Sequence, residues 1–412
     1  MRILTITSHI SSNALPCFQR NKTGFGYMVH DIISSIARRE QMDVLVYYYR
    51  YKDLDFDGAH YIGCSIWSII RYIFKGLPLK IPFLFYRKYR MDKASAIRFV
   101  YCWALTGYYC HIIRNGNYDV VHIHGASFNN ELWMQLCQKM GQPYVVTLHG
   151  LNSFSNSVKI DEPGKRYERD FLNQVVNGDF PITVISSGIK RIIEDTYKSN
   201  GCKNIFIVLN SFSFVDRMNL DDEIDVRGKY GIPPDAKIIL YVGNISANKN
   251  QVQMVRAFDL MSEGVESNTY VLFLGNYQER DGGLREAIVR SKYTNHLILC
   301  GGIDKAQMHS FYEAADGVVL LSHAEGFGLG LAEGMHFGLP CATFTDLDAF
   351  NDLFDPKVVI PISSRRDEDV ADSVEKLLTS EWDKGAIRSF SKKFESETMT
   401  DNYIEVYHSI IK

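Results

Sequence analysis

The chain has eight cysteines among 412 residues, yet no C-x-x-C pair and no cluster of His and Cys. Their scatter, at positions 17, 64, 102, 110, 137, 202, 300 and 341, argues against a zinc site or a disulfide framework and for a reducing compartment. Most are expected to serve as small core residues. No apolar run reaches membrane-spanning length. The longest uncharged one, 99–113, has 15 residues and contains His111, against the roughly 20 a spanning helix needs. The opening MRILTITSHI lacks the apolar core and cleavage site of a signal peptide and reads as a first strand. The expected location is therefore cytoplasmic. A net charge of only −3 does not suit a protein built to coat nucleic acid.

What is present is ordinary in bulk: 46% hydrophobic and 23% charged residues, as in folded globular proteins. The length fits two domains of about 200 residues. Short runs rich in β-branched residues recur, each followed by a helical pattern. They are RILTIT (2–7), MDVLVY (42–47), DVVHIH (119–124), YVVTLH (144–149), ITVIS (182–186) and IFIVLN (205–210), then KIILYVG (237–243), TYVLFLG (269–275), HLILCGG (296–302), GVVLLS (317–322), CATFTD (341–346) and VVIPI (358–362). Apolar strands alternating with helices imply parallel sheets covered on both faces. The fold class is α/β, with two doubly wound, Rossmann-like domains facing a cleft. The polar stretch 211–236 is the linker candidate, giving domains 1–215 and 216–393, and 394–412 reads as an amphipathic terminal helix.

Three stretches carry chemistry. In TGFGYMVHD, Gly24 and Gly26 precede a helix, where glycine lets backbone approach a phosphate or simply allows close packing. The third glycine of a nicotinamide fingerprint is missing, and the loop from Thr7 to Gly24 is too long for it. In YVGNISANKN, Lys249 follows a strand end, where an ammonium can neutralise a diphosphate. In SHAEGFGLGLAEGMHFGLP, Glu325 and Glu333 bracket a glycine-rich turn, and a helix is expected from Gly330 to Phe337. Eight residues of straight helix span about 12 Å, more than the carboxylate separations of about 5–9.5 Å in glycosidases. Separate tasks suit the two acids better: Glu333 for ribose hydroxyls, Glu325 for sugar hydroxyls. Two solvated acids at a helix start would explain the carboxylates but not the GFG between them.

AEGFGLGLAEGMHFGLP resembles the Glu, seven residues, Glu motif of the retaining GT-B glycosyltransferases of the glycogen synthase and sucrose synthase type, the "glycosyl transferases group 1" family. YVGNISANKN is similar to that family's diphosphate loop; VVHIHGASF, VVTLHG and PITVISSGIKRII resemble its N-domain. The likeness implies a metal-independent hexosyltransferase using a UDP- or GDP-sugar as co-substrate, with no other cofactor and with front-face retention. It implies that Glu325 contacts the donor sugar, Glu333 the ribose and Lys249 the diphosphate. Gly326, Phe327, Gly328 and Leu329 would offer backbone donors, His149 would line the donor-sugar side, and the terminal helix would pack back on the N-domain. Asn244 stands where the family usually has Arg, so a phosphate-binding cation is missing and Arg20 or Lys22 is the candidate replacement. Gly330 and Gly334 replace commoner Pro and Ala, which is expected to loosen the helix slightly.

Residues 61–114 differ from the rest, with nine Lys/Arg against one acid, Asp92, so the remainder of the chain carries −11. Basic residues interleaved with aromatics suit an anionic membrane surface at its inner face; the bland alternative is an aromatic core with solvated charges. No nucleic-acid motif accompanies them. The expected function is transfer of a sugar to a glycan or lipid-linked acceptor in surface polysaccharide or glycoconjugate synthesis. The alternatives are a non-catalytic partner subunit, prompted by Asn244, and a nucleotide-sugar epimerase.

Overall fold

Each of the twelve apolar runs forms a strand, and most runs overshoot their strand by one or two residues at the carboxyl end. The computed structural model describes all residues except 13, 20–22, 50, 152–161, 179, 200, 213–222, 278–282 and 412. They form two compact units. The first comprises Met1–Ile185, Ile189–Leu209 and Ser396–Lys412; the second comprises Ser186–Gly188 and Asn210–Glu395.

The first unit holds β1 (Arg2–Thr7), β2 (Gln41–Val46), β3 (Leu54–Phe56), β4 (Ala59–Tyr61), β5 (Val120–His124), β6 (Tyr144–Leu148), β7 (Ile182–Val184) and β8 (Ile205–Ile207). Their order is β3-β4-β2-β1-β5-β6-β7-β8. Every neighbouring pair is parallel except β3–β4. The chain goes one way from β1 to β2 and the other way to β5, so the topological switch lies between β1 and β5. Ligands in such sheets bind at the carboxyl ends there.

The β3–β4 hairpin is an addition to the sequence expectation. Its turn residues Asp57 (φ 47°) and Gly58 (φ 82°) are both left-handed, as a two-residue turn matched to strand twist requires. Strands of three residues are too short to show a period, which is why the pattern passed unnoticed.

The helix Ser396–Ile411 packs on this unit. Met399, Tyr403, Val406 and Tyr407 share one face and join Ile3, Val29, Ile32 and Ile36 in a common core. Helices Ile66–Tyr72, Lys80–Tyr89 and Lys93–Gly116 make up most of the basic aromatic region. Phe99, Trp103 and Tyr109 are core residues, but Phe74 is 90% exposed and Trp67 79%, with Ile70, Leu79, Phe83 and Ile97 also in solvent. Among the described residues, no helix is long and apolar enough to cross a membrane.

The second unit holds β9 (Lys237–Val242), β10 (Thr269–Leu274), β11 (Leu297–Gly301), β12 (Gly317–Leu320), β13 (Cys341–Phe344) and β14 (Val359–Ile362). All are parallel, in the order β11-β10-β9-β12-β13-β14. The switch point here lies between β9 and β12. Helix Leu329–His336, one residue earlier than expected, follows β12. Gly330 and Gly334 seat it on the sheet: a Cβ at Gly334 would stand 2.4 Å from Val318 Cγ2, and one at Gly330 3.0 Å from Val242 Cβ. Close approach is the reason for glycine at these two positions.

Candidate functional site

The two strands at the switch of the second unit deliver its charged residues. Lys249 follows β9 and Glu325 follows β12, and the Lys249 ammonium pairs with Glu325 Oε2. The side chains are 24% and 17% exposed, so the pair is sheltered but reachable. Ser322 Oγ donates to the same carboxylate oxygen at 3.3 Å.

The loops carrying this pair are stapled together. Asn248 Nδ2 donates to the Ala324 carbonyl at 2.9 Å and Asn248 Oδ1 accepts from the Ala324 N–H at 3.1 Å. Asn250 Nδ2 donates to the Leu321 carbonyl at 3.1 Å. Buried Tyr241 donates to the Lys249 carbonyl and accepts from the Leu321 N–H at 2.8 Å. Gly243 (φ 149°) holds a backbone conformation that favours glycine, and the Lys249 stem passes over it. These ties between side chains of one loop and the backbone of the other hold the two loops, and with them the stems of Lys249 and Glu325, in a fixed geometry.

Glu333 sits on the helix, and Tyr312 donates to its Oε2 at 2.5 Å. Burial, then the Glu333 charge, pushes the Tyr312 phenol well up, so it stays a donor. Gly328 (φ 93°) caps the helix start and accepts from the Leu331 N–H at 3.0 Å. Phe327 is buried edge-on against Phe394 at 5.4 Å, which anchors the turn 326–329.

Asn244 acts as a loop tie: its Oδ1 accepts from the Asn276 N–H at 3.2 Å. Arg20 and Lys22 lie outside the described residues. Arg365 was not legible in sequence. It stacks over Phe344 at 4.1 Å, pairs with Asp346 at 2.8 Å and donates to the Ser322 carbonyl at 3.3 Å, supporting the Glu325 loop from a segment 40 residues away. No local pattern marks such a residue.

In the first unit, the carboxyl ends of β1, β2, β5 and β6 surround a cavity of about 460 Å³, lined among others by His9, Phe25, Tyr48, His124, His149 and Glu168. His149 is thus at a strand end in a different unit from Glu325. Its Nε2 lies 3.1 Å from His124 Nδ1, and its ring meets Phe25 edge-on at 4.9 Å. Burial pushes the His149 pKa down to about 3. His122, two residues before His124 on the same strand face, falls to about 3 through burial and then His149. Its two nitrogens meet Thr147 Oγ1 at 2.6 Å and Tyr407 Oη at 2.8 Å. The alternating histidines of DVVHIH were a visible signal of a shared face that sequence reasoning left unused.

Gly24 opens the helix Gly24–Ala37 with nothing within 4 Å of a Cβ, so its backbone is open to contact. Gly26 is accounted for by packing: a Cβ would stand 2.2 Å from Ser11 Oγ, and its N–H donates to Thr23 Oγ1 at 3.0 Å. His9 Nε2 meets the same Thr23 oxygen at 2.8 Å.

Comparisons with known proteins divide the chain at a similar place. Residues 222–394 match the family model described as glycosyl transferases group 1, and residues 23–210 match Glycosyltransferase Family 4. A D-inositol 3-phosphate glycosyltransferase of Actinosynnema mirum is 27% identical over 237 residues, 55% of each chain. The chain thus spans about half the length of such curated relatives. Among solved structures, sucrose-phosphate synthase of Thermosynechococcus elongatus is similar with a TM-score of 0.71 at 15% identity over 99% of both chains. HepE of Anabaena, in complex with UDP and glucose, gives 0.65 at 13% identity over 99% of this chain and 100% of that one.

Proposed function

The chain belongs to the glycosyl transferases group 1 family, with a Glycosyltransferase Family 4 N-terminal half and the GT-B fold, and from that premise we propose a retaining, metal-independent hexosyltransferase. Its donor is a nucleoside diphosphate sugar, with UDP favoured over GDP by the UDP-bound HepE structure. Its acceptor is a glycan or a lipid-linked glycan of surface polysaccharide or glycoconjugate synthesis.

The observation that carries this reading is the Lys249–Glu325 pair at the β9/β12 switch. Lys249 supplies charge to the diphosphate and Glu325 takes hydroxyls of the sugar. Glu333, oriented by Tyr312, takes the ribose, and backbone N–H groups of 326–329 serve the atoms between them. The bond from the anomeric carbon to the diphosphate oxygen breaks, and a bond to the acceptor oxygen forms on the same face. The acceptor proton passes to the departing phosphate oxygen. Catalysis then consists of positioning and of stabilising charge on the leaving group.

A thermal-shift screen of nucleoside diphosphates and their sugars, followed by transfer assays on wild type and Glu325→Ala, tests the reading. Stabilisation by a nucleotide sugar is expected, with a loss of about 10²-fold or more in kcat/KM for the variant. Nucleotide binding without turnover on a broad acceptor panel favours a non-catalytic partner subunit instead. The motive for that second reading is Asn244, a neutral residue whose Oδ1 accepts from the Asn276 N–H at the position where the resemblance puts a cation.

The basic face carrying exposed Trp67, Phe74 and Phe83 supports peripheral docking of this enzyme to an anionic membrane. Liposome flotation should recover the protein with anionic vesicles only; its absence from vesicles of either composition removes this part of the reading.

A further inference from the structure

A smaller cavity of the first unit, about 210 Å³, adjoins the larger one and shares Tyr48, Ala126, Ser127, Asn129 and Glu168 with its lining. The two differ in charge. Among the described residues no Lys or Arg lines the larger cavity, whereas Arg98 lines the smaller.

Arg98 is short of acceptors. Its guanidinium carries five N–H donors, yet its one hydrogen bond among the described residues runs from Nη2 to Ser95 Oγ at 3.3 Å. Asp92 lies one hydrogen bond further off, accepting from Ser95 Oγ at 2.5 Å and capping the helix Lys93–Gly116. Buried Glu168 lines the cavity without forming an ion pair with Arg98. Neighbouring cations are engaged: Lys88 pairs with Asp170 at 2.9 Å, Arg87 lies over Phe83, and Arg71 and Lys75 lie over Tyr72.

Tyr48 is a second donor, at the boundary of the two cavities. Its Oη accepts from Asn129 Nδ2 at 2.6 Å, which leaves its own hydrogen to donate. Burial, then Cys102, pushes its pKa up to about 12 while the nearby Arg98 charge pulls it down, so the phenol keeps that hydrogen at neutral pH. A guanidinium and a phenol lining one cavity suit a group that only accepts, and arginine matches phosphate with two parallel bonds.

The wall of this cavity leads to the exposed apolar face. Phe128 and Tyr167 line it, and the Tyr89 ring meets both, at 5.2 and 5.7 Å. Tyr89 ends the helix Lys80–Tyr89, which shows Phe83 and Leu84 to solvent. Ile97, next to Arg98, is exposed as well. The cation is thus flanked by apolar surface and by the larger cavity.

We infer that Arg98 is a specificity-determining residue for the acceptor: it binds a phosphate group that joins an apolar chain, laid on the exposed face, to a glycan. Calling the bearer of that phosphate an acceptor rests on the glycosyltransferase reading; the binding of an alkyl phosphate at Arg98 does not.

The test titrates the full chain by calorimetry with three monomeric probes: hexyl phosphate, inorganic phosphate and hexyl β-glucoside. Hexyl phosphate is expected to bind most tightly, because it meets the cation and buries a chain together. Arg98→Gln should weaken it about tenfold or more. Arg98→Lys should weaken it less, since the charge stays and the fork is lost, and neither variant should change hexyl glucoside. Arg87→Gln, on the basic face but not lining the cavity, separates a site from diffuse attraction. It should lower recovery on anionic vesicles and leave hexyl phosphate affinity intact. Equal losses in Arg87→Gln and Arg98→Gln overturn the inference. So does wild type binding inorganic phosphate or the glucoside as tightly as hexyl phosphate, a ranking that decides the matter even where a variant fails to fold. Sugar transfer whose acceptor KM is unchanged by Arg98→Gln sinks this inference alone. Selective loss of hexyl phosphate in Arg98→Gln, from a protein that transfers no sugar, supports it and sinks only the catalytic reading.

Discussion

The carboxyl ends of the two sheets are furnished in opposite ways. At the β9/β12 switch a lysine and a glutamate face each other across stapled loops. At the β1/β5 switch buried histidines line the cavity, and His149 and His122 are held neutral. Both ends use the same topological opportunity. The charged end is suited to a ligand whose recognition is electrostatic, and the neutral end to one recognised by hydrogen-bond direction. A common architecture therefore says where ligands bind and leaves their chemistry to the side chains.

Acid should break this contrast most strongly, because burial pulls the pKa of His122, His124 and His149 of the first unit far down. The folded pKa values of His122 and His149 lie near 3, below the unfolded value of about 6.5. The unfolded chain therefore binds more protons between those limits, and stability is full above about pH 6.5 and falls as pH drops toward 3. From pH 7 to 5 the expected loss is about 2 kcal/mol for each of the two rings. Urea unfolding followed by tryptophan fluorescence checks it, since Trp67, Trp103 and Trp133 of the four tryptophans lie in the first unit. A stability that is flat over this range would mean that the histidines are not buried neutral.

Gly334→Ala should disturb the charged end next. Alanine favours a helix by about 1 kcal/mol over glycine, but overpacking against Val318 costs about 1–3 kcal/mol. The expected net destabilisation is about 1 kcal/mol, with a weaker response to nucleotide because the Glu333 helix shifts. A stabilised Gly334→Ala would show that the helix is not tightly seated. Tyr312→Phe should have the smallest effect, about 0.5–1.5 kcal/mol for the lost hydrogen bond to Glu333. Nucleotide affinity should fall while the acid response set by the buried histidines of the first unit is unchanged; a change in both would erase the distinction.

The α/β class and the twelve main strands were legible because buried parallel strands leave long β-branched runs that need no partner to be seen. The charge-bearing stretches were legible for a related reason: Lys249 and Glu325 lie in the loops that follow such runs. The short hairpin Leu54–Tyr61 was not, since three residues show no period. Gly26 reads the same in sequence whether it meets a phosphate or Ser11, and its close neighbour was visible only in three dimensions. Arg365, Tyr312 and Asn248 carried no local signal, because their roles come from carbonyls and carboxylates remote in the chain.

By itself, the sequence determined which segments become strands and helices and which residues follow their carboxyl ends, because backbone sterics and apolar periodicity act over a few residues. Tertiary structure alone decided that Lys249 meets Glu325, that Tyr407 reaches His122 across 285 positions, and that His124 Nδ1 and His149 Nε2 come within 3.1 Å of each other beside one cavity. Such encounters depend on strand order and crossover direction, and hydrogen bonds and ion pairs form only where those bring distant groups within about 3 Å.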